Sequence, residues 1–308
     1  MRHTLHDHRH HDWNRGREPA LTLAPGARVT AQTLDAADGQ LKPDSTPEDV
    51  AALDPGRANP MNGPIAVDGA EPGDALVVTI GELLTGSWGW TANIPGFGLL
   101  ADDFPDPVFW RWSIERGTSR AEAPGGLAWT PVHPFMGTLG LAPGTPGPHP
   151  VIPPWRTGGN MDCRDLVAGS RVILPVEAPG GLLSLGDGHA AQGDGEVCGT
   201  AVETEMRASF TVELLKGAAP AFPIVERPGE TLPPAAEPRV TTTGIGPDLT
   251  EAARAAVRQM IDELTGRRNI SPEAAYLLCS VCGDLRIAQI VDAPNWTVAF
   301  SFPLGRLD

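Results

Sequence analysis

Glycine and proline recur along this chain at short intervals, a pattern typical of proteins built from strands and turns. The 308 residues include 36 glycines and 32 prolines, and strand-like apolar runs fill the gaps between them. Together the two residues make up about a fifth of the chain, which is below the share found in disordered proteins. The pattern therefore predicts a mainly β protein with many turns.

Two stretches show the strand pattern together with turn signals. Residues 20–24 and 27–34 alternate like half-buried strands, and Pro25-Gly26 between them predicts a hairpin. Residues 63–83 contain a strand, a tight turn at Pro72-Gly73 and a second strand rich in β-branched residues. We expect both units to belong to one β-rich region.

The composition changes at Asp248, where helical periodicity begins. Apolar residues recur at helical spacing as far as Leu264, and Gly266 follows them, so we predict an amphipathic helix that ends there. Ser271 and Pro272 are typical of the N-cap and the first position of a second helix. Two helices are therefore expected near the end of the chain.

These patterns divide the chain into three regions. Five of the eight histidines lie in residues 1–18, where no apolar periodicity would hold them in place, so we predict a polar, His-rich tail outside the site. Residues 19–247 form the predicted β-rich catalytic region. Residues 248–308 form an α+β region packed on it, with strands predicted at 284–291 and 296–302.

The charge of the chain excludes several classes of partner. The net charge is −15 and the isoelectric point is near 4.9, so nucleic-acid backbones and anionic membrane surfaces would be repelled. No run of eighteen apolar residues exists, and the N-terminus lacks the apolar core of a secretory signal. The expectation is a cytoplasmic protein that binds neither nucleic acid nor membranes.

The four cysteines do not predict a disulfide framework in a chain of this length. Cys279 and Cys282 have the spacing of zinc ligands or a redox pair, but the chain offers no second pair of ligands nearby. We therefore expect free thiols and a structural role for the helices that carry this pair.

One stretch, residues 186–203, concentrates chemically active side chains among five glycines. Asp187 and His189 are separated by one residue, so on an extended segment both leave the same face and can close on one metal ion or proton-transfer site. Glu196 and Glu203 follow within the same stretch. The alternative is a pair of solvated hairpin turns, because Asp-Gly steps at 187 and 194 are also ordinary turn signals.

Two further carboxylates are candidates for the same site. Asp162 stands where a loop becomes structure, and it is either a third ligand or a helix N-cap. Asp35 stands at a predicted strand end, from which side chains often reach a cleft, and otherwise it caps a turn. The sequence leaves both alternatives open.

Several motifs, in order from about residue 19 to the end, resemble the acetamidase/formamidase family. They are Asp35-Ala with Gly39-Gln40, Gly63-Pro-Ile through Gly73-Asp74, Pro134-Phe-Met-Gly137, Gly158-Gly-Asn-Met-Asp162, Gly186-Asp-Gly-His through Gly195-Glu-Val-Cys198 with Glu203, and Ala275-Tyr-Leu-Leu-Cys with Gly283-Asp-Leu-Arg286. The resemblance implies sandwich-like β halves with an added C-terminal two-helix and strand region. It also implies hydrolysis of a short aliphatic amide to a carboxylate and ammonia.

Amide hydrolysis needs a polarised carbonyl, a nucleophile at neutral pH and a proton for the departing nitrogen. A divalent metal supplies the first two, and carboxylates with one imidazole are a reasonable ligand set. The predicted metal ligands are Asp162, Asp187, His189 and Glu203. The expected metal is zinc, with calcium as the alternative.

The remaining site residues are predicted around this metal. Glu196 is the expected acid/base that carries the proton from water to nitrogen, and Asp35 is the next candidate. Gln40, Gln192 and Cys198 are predicted to contact the small amide substrate.

Two other functions compete with a metal amidase. Cys198 as nucleophile with Glu196 as base would make a cysteine-dependent amidase. A non-enzymatic β-sandwich module that binds calcium through acidic loops is the third possibility, for which His189 is a poor ligand. The apolar loop at residues 88–104 and the family resemblance predict a homodimer or higher homo-oligomer.

Overall fold

The computed structural model describes residues 2–115, 119–228 and 238–306. In chain order, the strands are β1 Arg2–Leu5, β2 Arg9–His10, β3 Leu21–Leu23, β4 Ala27–Thr33, β5 Met61–Val67, β6 Ala75–Thr85, β7 Trp88–Asn93, β8 Val108–Glu115, β9 Arg120–Glu122, β10 Trp129–Pro131, β11 Phe135–Leu141, β12 Gly158–Asn160, β13 Arg171–Pro175, β14 Leu183–His189, β15 Met206–Leu215, β16 Ile224–Arg227, β17 Arg239–Gly246, β18 Asp284–Gln289 and β19 Trp296–Pro303. The helices are α1 Pro47–Ala51, α2 Leu249–Arg268 and α3 Pro272–Cys282.

Two sheets form the main body. A nine-stranded sheet has the order β1-β4-β15-β6-β13-β16-β17-β19-β18, and a six-stranded sheet has the order β12-β11-β14-β5-β2, with β3 beside β5. Apolar side chains of both sheets share one buried core, for example Val29 and Phe210 from the first and Leu139 and Leu185 from the second. The body is therefore a sandwich whose two layers bury each other's apolar faces.

A third, four-stranded sheet, β10-β9-β8-β7, adds a smaller layer. Its strand β7 forms the first six residues of the apolar stretch 88–104, which was predicted to be a loop. Trp90 of β7 is buried with Val50 of α1 in a separate small cluster. This sheet and α1 thus build an apolar wall outside the main core.

The C-terminal region extends the nine-stranded sheet. Strand β17 pairs with β19 over its whole length, and α2 and α3 pack their apolar faces on these strands. Gly244 permits this close packing, since a Cβ there would lie 1.9 Å from the carbonyl oxygen of Ala252 in α2. The mainly β fold with a C-terminal two-helix and strand region is confirmed.

Local signals at the helix ends act largely as predicted. The side chains of Asp248 and Ser271 accept backbone hydrogen bonds at the N-termini of α2 and α3. However, α2 continues past Gly266 to Arg268, and Asn269 ends it in the left-handed conformation. Asn tolerates that conformation, so a glycine was not required for the stop.

The N-terminal residues differ from the predicted unanchored tail. Strand β1 pairs in parallel with β4, and β2 pairs with β5. Trp13 is fully buried and His10 nearly so. The partners of these strands lie far along the chain, so local periodicity could not reveal them.

The predicted hairpin at residues 20–34 is also wrong. Strand β3 pairs in parallel with β5 of the six-stranded sheet, whereas β4 lies between β1 and β15 of the other sheet. The turn at Pro25-Gly26 therefore carries the chain from one layer to the other.

None of the helices in the described part of the chain has the length and apolar character of a membrane span.

Candidate active site

Three neighbouring strands of the six-stranded sheet bring the predicted ligands together. Strand β14 is buried over its whole length, and it pairs with β11 so that Phe135 lies opposite His189. Strand β12 pairs with the other edge of β11, and Asp162 follows it by two residues. Asp162, Asp187 and His189 therefore meet over the middle of β11.

Gly137 of β11 makes room for this meeting. A Cβ at this position would lie 2.4 Å from Oδ2 of Asp187, 2.6 Å from Oδ1 of Asp162 and 2.8 Å from Cε1 of His189. Real Cβ atoms do not approach other atoms so closely. The glycine is required because the side chains of both flanking segments fold across it.

The imidazole of His189 is held in one orientation. Its Nδ1 lies 2.8 Å from Oε1 of Gln192, and Phe135 contacts the ring edge to face with centroids 4.9 Å apart. The amide of Gln192 is oriented independently, since its Nε2 donates to the carbonyl oxygen of Asp162 at 2.8 Å. Oε1 can only accept, so Nδ1 carries a proton, and Nε2 offers a lone pair to a metal ion whenever the ring is neutral.

Carboxylates surround Nε2 of His189 without satisfying it. Nε2 lies 3.1 Å from Oδ1 of Asp187, 3.2 Å from Oε2 of Glu203 and 4.0 Å from Oδ1 of Asp162. Among the described residues, no hydrogen-bond partner is found for this Nε2, for either carboxyl oxygen of Asp162 or for Oε2 of Glu203. Buried polar atoms are normally paired, so a group of unpartnered ones indicates that something else binds here.

Glu196 reaches the cluster from the loop after β14. This loop is tied to β18, because Gly195 donates to the carbonyl of Ala288 at 2.9 Å and Ile290 donates to that of Gly195 at 3.3 Å. Two sets of potential ligands have their atoms within 4.8 Å of one another: Asp162, His189 and Glu196, and Asp187, His189 and Glu203. The structure thus gathers the four predicted metal ligands and Glu196 into one buried cluster.

The backbone of the cluster is strained. Asp162, Asp187 and Glu196 have φ values of 46°, 57° and 48°, a left-handed region that costs a residue with a Cβ about 1–2 kcal/mol. Such strain is concentrated at functional sites. It aims the three carboxyl groups inward at the expense of local stability.

Sequence reasoning missed Asp292, which is buried beside the cluster. Its Oδ2 accepts a hydrogen bond of 2.9 Å from Nδ2 of Asn160, whose Oδ1 accepts another of 2.9 Å from Asn59. Asp292 follows a predicted strand directly, which is the signal that made Asp35 a candidate. Nothing local connects it with Asp162, so its place in the site is a tertiary feature.

Burial and mutual repulsion perturb the titration of the cluster. Burial, followed by repulsion from neighbouring carboxylates, raises the pKa of Asp162 and of Glu196 well above their ordinary values. Burial also raises the pKa of Asp292 well above its usual range and that of Glu203 to about 7. These groups hold protons at a pH where exposed carboxyl groups have lost them.

Asp187 and His189 behave as the ionised pair of the cluster. Burial alone would raise the pKa of Asp187, but the charge of the nearby His189 opposes this effect and the pKa is lowered. Burial likewise disfavours the charged imidazole, but Asp187 and Glu203 outweigh this effect and raise the pKa of His189 well above 6.5. A positive charge at the position of Nε2 is therefore strongly favoured by its surroundings.

The other predicted site residues lie around the cluster with different contacts. Asp35 is buried, accepts hydrogen bonds from the backbone of Ala37 and from Trp90, and has its pKa raised by burial. Gln40 binds the backbone of Asp54 through both amide atoms, at 3.0 and 3.4 Å. Asp35 thus stabilises a turn and accepts a hydrogen bond from the indole of Trp90. Gln40 joins its own loop to the backbone of Asp54.

Gln192 and Cys198 do not line the cavity that opens at the cluster. Gln192 lies behind His189, and the thiol of Cys198 donates to the carbonyl of Thr200 at 3.3 Å. Cys279 and Cys282 lie in α3, and neither is in a group of potential metal ligands within the described chain. Cys198 thus lies outside the cavity whose inner end is formed in part by Glu196, the base of the thiol alternative.

The cavity has a volume of about 410 Å³ and two unlike ends. Its inner end is formed by the carboxyl groups of Asp162, Asp187, Glu196, Glu203 and Asp292. Its outer walls are apolar and come from α1, β7 and the loops beside them. This arrangement can place a small polar group among buried acids, with a cation or protons to balance their charge.

Comparisons with known proteins agree along the whole chain. The model of the acetamidase/formamidase family matches residues 2–150 and 147–308. A crystal structure of a predicted acetamidase/formamidase from Thermoanaerobacter tengcongensis is similar over 100% of this chain and 97% of its own, with 31% identity and a TM-score of 0.88. An acetamidase from Bacillus halodurans is similar over 98% of both chains, with 30% identity and a TM-score of 0.88. The acetamidase of Mycolicibacterium smegmatis is 29% identical in an alignment of length 282 that covers 71% of this chain and 69% of that protein.

Proposed function

The chain belongs to the acetamidase/formamidase family and is an amidase, and on that premise we propose that it hydrolyses short aliphatic amides of the formamide and acetamide type with the help of a divalent metal ion. The products would be a carboxylate and ammonia. The observation that carries the proposal is the buried cluster of one imidazole and five carboxyl groups, several of whose atoms have no partner. The match to amidases sets aside the alternative of a non-enzymatic calcium-binding module.

The donor atoms of the cluster fit a metal ion. Asp162, Asp187 and His189 would hold it, with Glu203 as a further ligand. When bound, the metal would polarise the amide carbonyl and lower the pKa of a water molecule toward ~7. The neutral imidazole Nε2, whose tautomer Gln192 determines, favours zinc over calcium, because calcium takes oxygen ligands.

Glu196 is the proposed proton carrier. Its carboxyl group is buried at the inner end of the cavity, where burial and the neighbouring carboxylates raise its pKa well above the ordinary value. A group of this kind accepts the proton of the attacking water and returns it to the departing nitrogen. Asp187 has its pKa lowered and stays ionised throughout, which suits a permanent ligand better than a proton carrier.

Hydrogen bonds from residues around Glu196 fix the orientation of the neighbouring site side chains. Asn160 donates to Asp292 at 2.9 Å and accepts from Asn59, so it orients the carboxyl group of Asp292 at the wall of the cavity. Gln192 holds His189 from behind. Buried polar partners of this kind fix side-chain positions within the small tolerance that catalysis requires.

A thiol mechanism is the competing proposal within the same reaction. Cys198 is bonded to Thr200 and does not line the cavity, which speaks against it as nucleophile. Cys198→Ser should therefore leave ammonia release within a few-fold of wild type. Loss of activity in this variant, with zinc still bound, would favour the thiol.

The test of the proposed function combines metal analysis with ammonia release from formamide, acetamide and propionamide. We expect zinc in the purified protein and activity that falls when a chelator removes it. Asp187→Asn should lower zinc content and activity together, because a neutral amide is a weaker ligand than a carboxylate. Full activity without any metal would contradict the metal-assisted mechanism.

We also propose a homo-oligomer and a cytoplasmic location. The oligomer is supported by Leu99, Leu100 and Phe104, whose side chains are more than half exposed in the apolar segment after β7. Large exposed apolar groups often mark contact surfaces. Sedimentation that shows only a monomer would contradict the proposed homo-oligomer.

The cytoplasmic location is supported by the four cysteines. All four are free thiols, which agrees with a reducing compartment.

A further inference from the structure

The outer part of the cavity is larger and more apolar than acetamide requires. Apart from the acids at its inner end, its walls include the side chains of Val50, Leu53, Trp90, Ile94, Phe97 and Ile152. These residues come from α1, β7 and three loops, so the apolar surface surrounds the cavity on several sides. Ligand sites are typically apolar, with a few polar groups placed at one point.

The volume supports the same conclusion. Acetamide has four non-hydrogen atoms, and at the ~30 Å³ that one water occupies in the liquid such a molecule takes up about 120 Å³. The cavity measures about 410 Å³, within the roughly 300–1,000 Å³ of sites that accept drug-sized ligands. A formamide or acetamide at the acidic end would leave most of the apolar part filled only by water.

The polar groups of the outer walls are already engaged. The indole N–H of Trp90 is directed to Asp35 at 3.3 Å, and both amide atoms of Gln40 bind the backbone of Asp54. Trp90 therefore offers the cavity apolar ring surface. A bound molecule would meet few free hydrogen-bonding groups away from the inner end.

The charge of the lining selects against anions. Among the described residues that line the cavity there is no lysine or arginine, whereas five buried carboxyl groups and Asp54 contribute acids. A carboxylate at the far end of the acyl group would therefore find no lysine or arginine among these lining residues to pair with. The lining thus accepts a neutral molecule with an apolar body and one amide group.

We infer that the preferred substrates of this amidase are neutral primary amides whose acyl group has about five to eight carbons, with the amide among the carboxyl groups and the acyl group against Trp90 and the neighbouring apolar side chains. This inference rests on the proposed hydrolysis of aliphatic amides and extends the acyl group that the site takes beyond that of acetamide. It follows from the cavity volume and from the apolar outer walls together.

The first experiment compares kcat/KM for four probes on the metal-loaded enzyme: acetamide, hexanamide, phenylacetamide and succinamate. Hexanamide has four more methylenes than acetamide, and each fully buried methylene contributes about fourfold, so kcat/KM for hexanamide should exceed that for acetamide by up to about 250-fold. Phenylacetamide should be at least as good as hexanamide, and succinamate should be the poorest. A kcat/KM that is highest for acetamide overturns the inference and leaves the proposed function standing. If none of the four amides releases ammonia, the proposed function fails and the inference fails with it.

The second experiment narrows the outer end. Ala51 lines the cavity at the end of α1, and the adjacent Ala52 is exposed and does not line it. Ala51→Trp should lower kcat/KM for hexanamide and phenylacetamide by at least about tenfold and change that for acetamide little. The matched control, Ala52→Trp, should leave all of them near wild type. Equal losses for acetamide and hexanamide in Ala51→Trp would overturn the assignment of the acyl group to this end.

Discussion

Two buried clusters of ionisable groups lie in this molecule, and they are balanced in opposite ways. In the first, Asp165 accepts hydrogen bonds from Arg227 at 3.0 Å, from Thr241 at 3.1 Å and from Arg286. In the second, five carboxyl groups share one imidazole, that of His189. The first cluster supplies its own cations, and the second does not.

The difference separates a structural role from a functional one. The Asp165 cluster joins β16, β17 and β18, because its partners belong to these three strands of the nine-stranded sheet. In the His189 cluster both oxygens of Asp162 and one of Glu203 have no partner. Uncompensated buried charge is costly, so such a cluster is maintained only where a ligand or a proton completes it.

The largest effect should come from substitution of Glu196, the proposed proton carrier of the His189 cluster, which we call the unbalanced cluster. Glu196→Gln keeps the shape of the side chain but cannot transfer a proton, so kcat should fall by roughly 10²–10⁴ while zinc stays bound and KM changes little. Steady-state kinetics with metal analysis would measure this. Glu205→Gln, at an exposed position near Glu203, is the control and should be as active as wild type. Loss of zinc in Glu196→Gln would instead make Glu196 a ligand.

Substitution in the Asp165 cluster, the balanced one, should lower the stability of the folded protein instead. Asp165→Asn leaves Arg227 and Arg286 without their buried counter-charge, and breaking a buried pair costs about 3–5 kcal/mol. Denaturant unfolding of the variant should show this loss in the free energy of unfolding. Asp194→Asn, whose carboxylate is part-exposed in its pairs with Arg164 and Arg286, should cost only about 0–1 kcal/mol. Equal small losses in both variants would remove the distinction between the clusters.

A divalent ion should stabilise the protein through the unbalanced cluster alone. At a free zinc concentration of about 100 times Kd, binding to the folded state adds about 2.7 kcal/mol to the free energy of unfolding. Thermal unfolding with and without zinc would measure the gain. Asp187→Asn should lose most of it, whereas Asp165→Asn should retain it despite its lower starting stability. An equal gain in both variants would place the ion elsewhere.

A further effect on stability is expected from pH in the metal-free protein. The pKa of Glu203 is raised from 4.5 to about 7, so between these values the folded state holds a proton that the unfolded state has released. Stability present below about pH 4.5 is therefore lost as the pH rises through about 7, by up to about 1.4 kcal/mol per pH unit and proton. The raised pKa values of Asp162 and His189 act in the same direction.

Denaturant unfolding of the metal-free protein at about pH 5 and about pH 7 tests whether the free energy of unfolding falls as the pH rises. Glu203→Gln has no titrating group at this position, so its stability should fall less steeply than that of wild type. A wild-type stability that rises between the two pH values would contradict the account of the unbalanced cluster.

Local patterns predicted much of this molecule because their causes act over a few residues. The alternation of Asp187 and His189 placed them together, and Nε2 does lie 3.1 Å from Asp187. Helical periodicity beginning at Asp248 and the predicted cap Ser271 both mark the start of a helix, as expected. Strand pairing was predicted less well, since β1, β2 and β3 all pair with strands that are not their sequence neighbours.

The sequence by itself determined the β-rich character, the two C-terminal helices, the family resemblance and the set of acidic residues from which a site could be built. Turns, caps and side-chain periods are properties of short segments, so they can be read without the fold. Only the tertiary structure decided which acids meet: it brought Asp292 beside Asp162, left Asp35 bonded to Trp90 and gave Asp165 its arginines. Whether a buried carboxylate finds a cation depends on strands that are distant in the chain, and that is why one acidic cluster is structural and the other is available for chemistry.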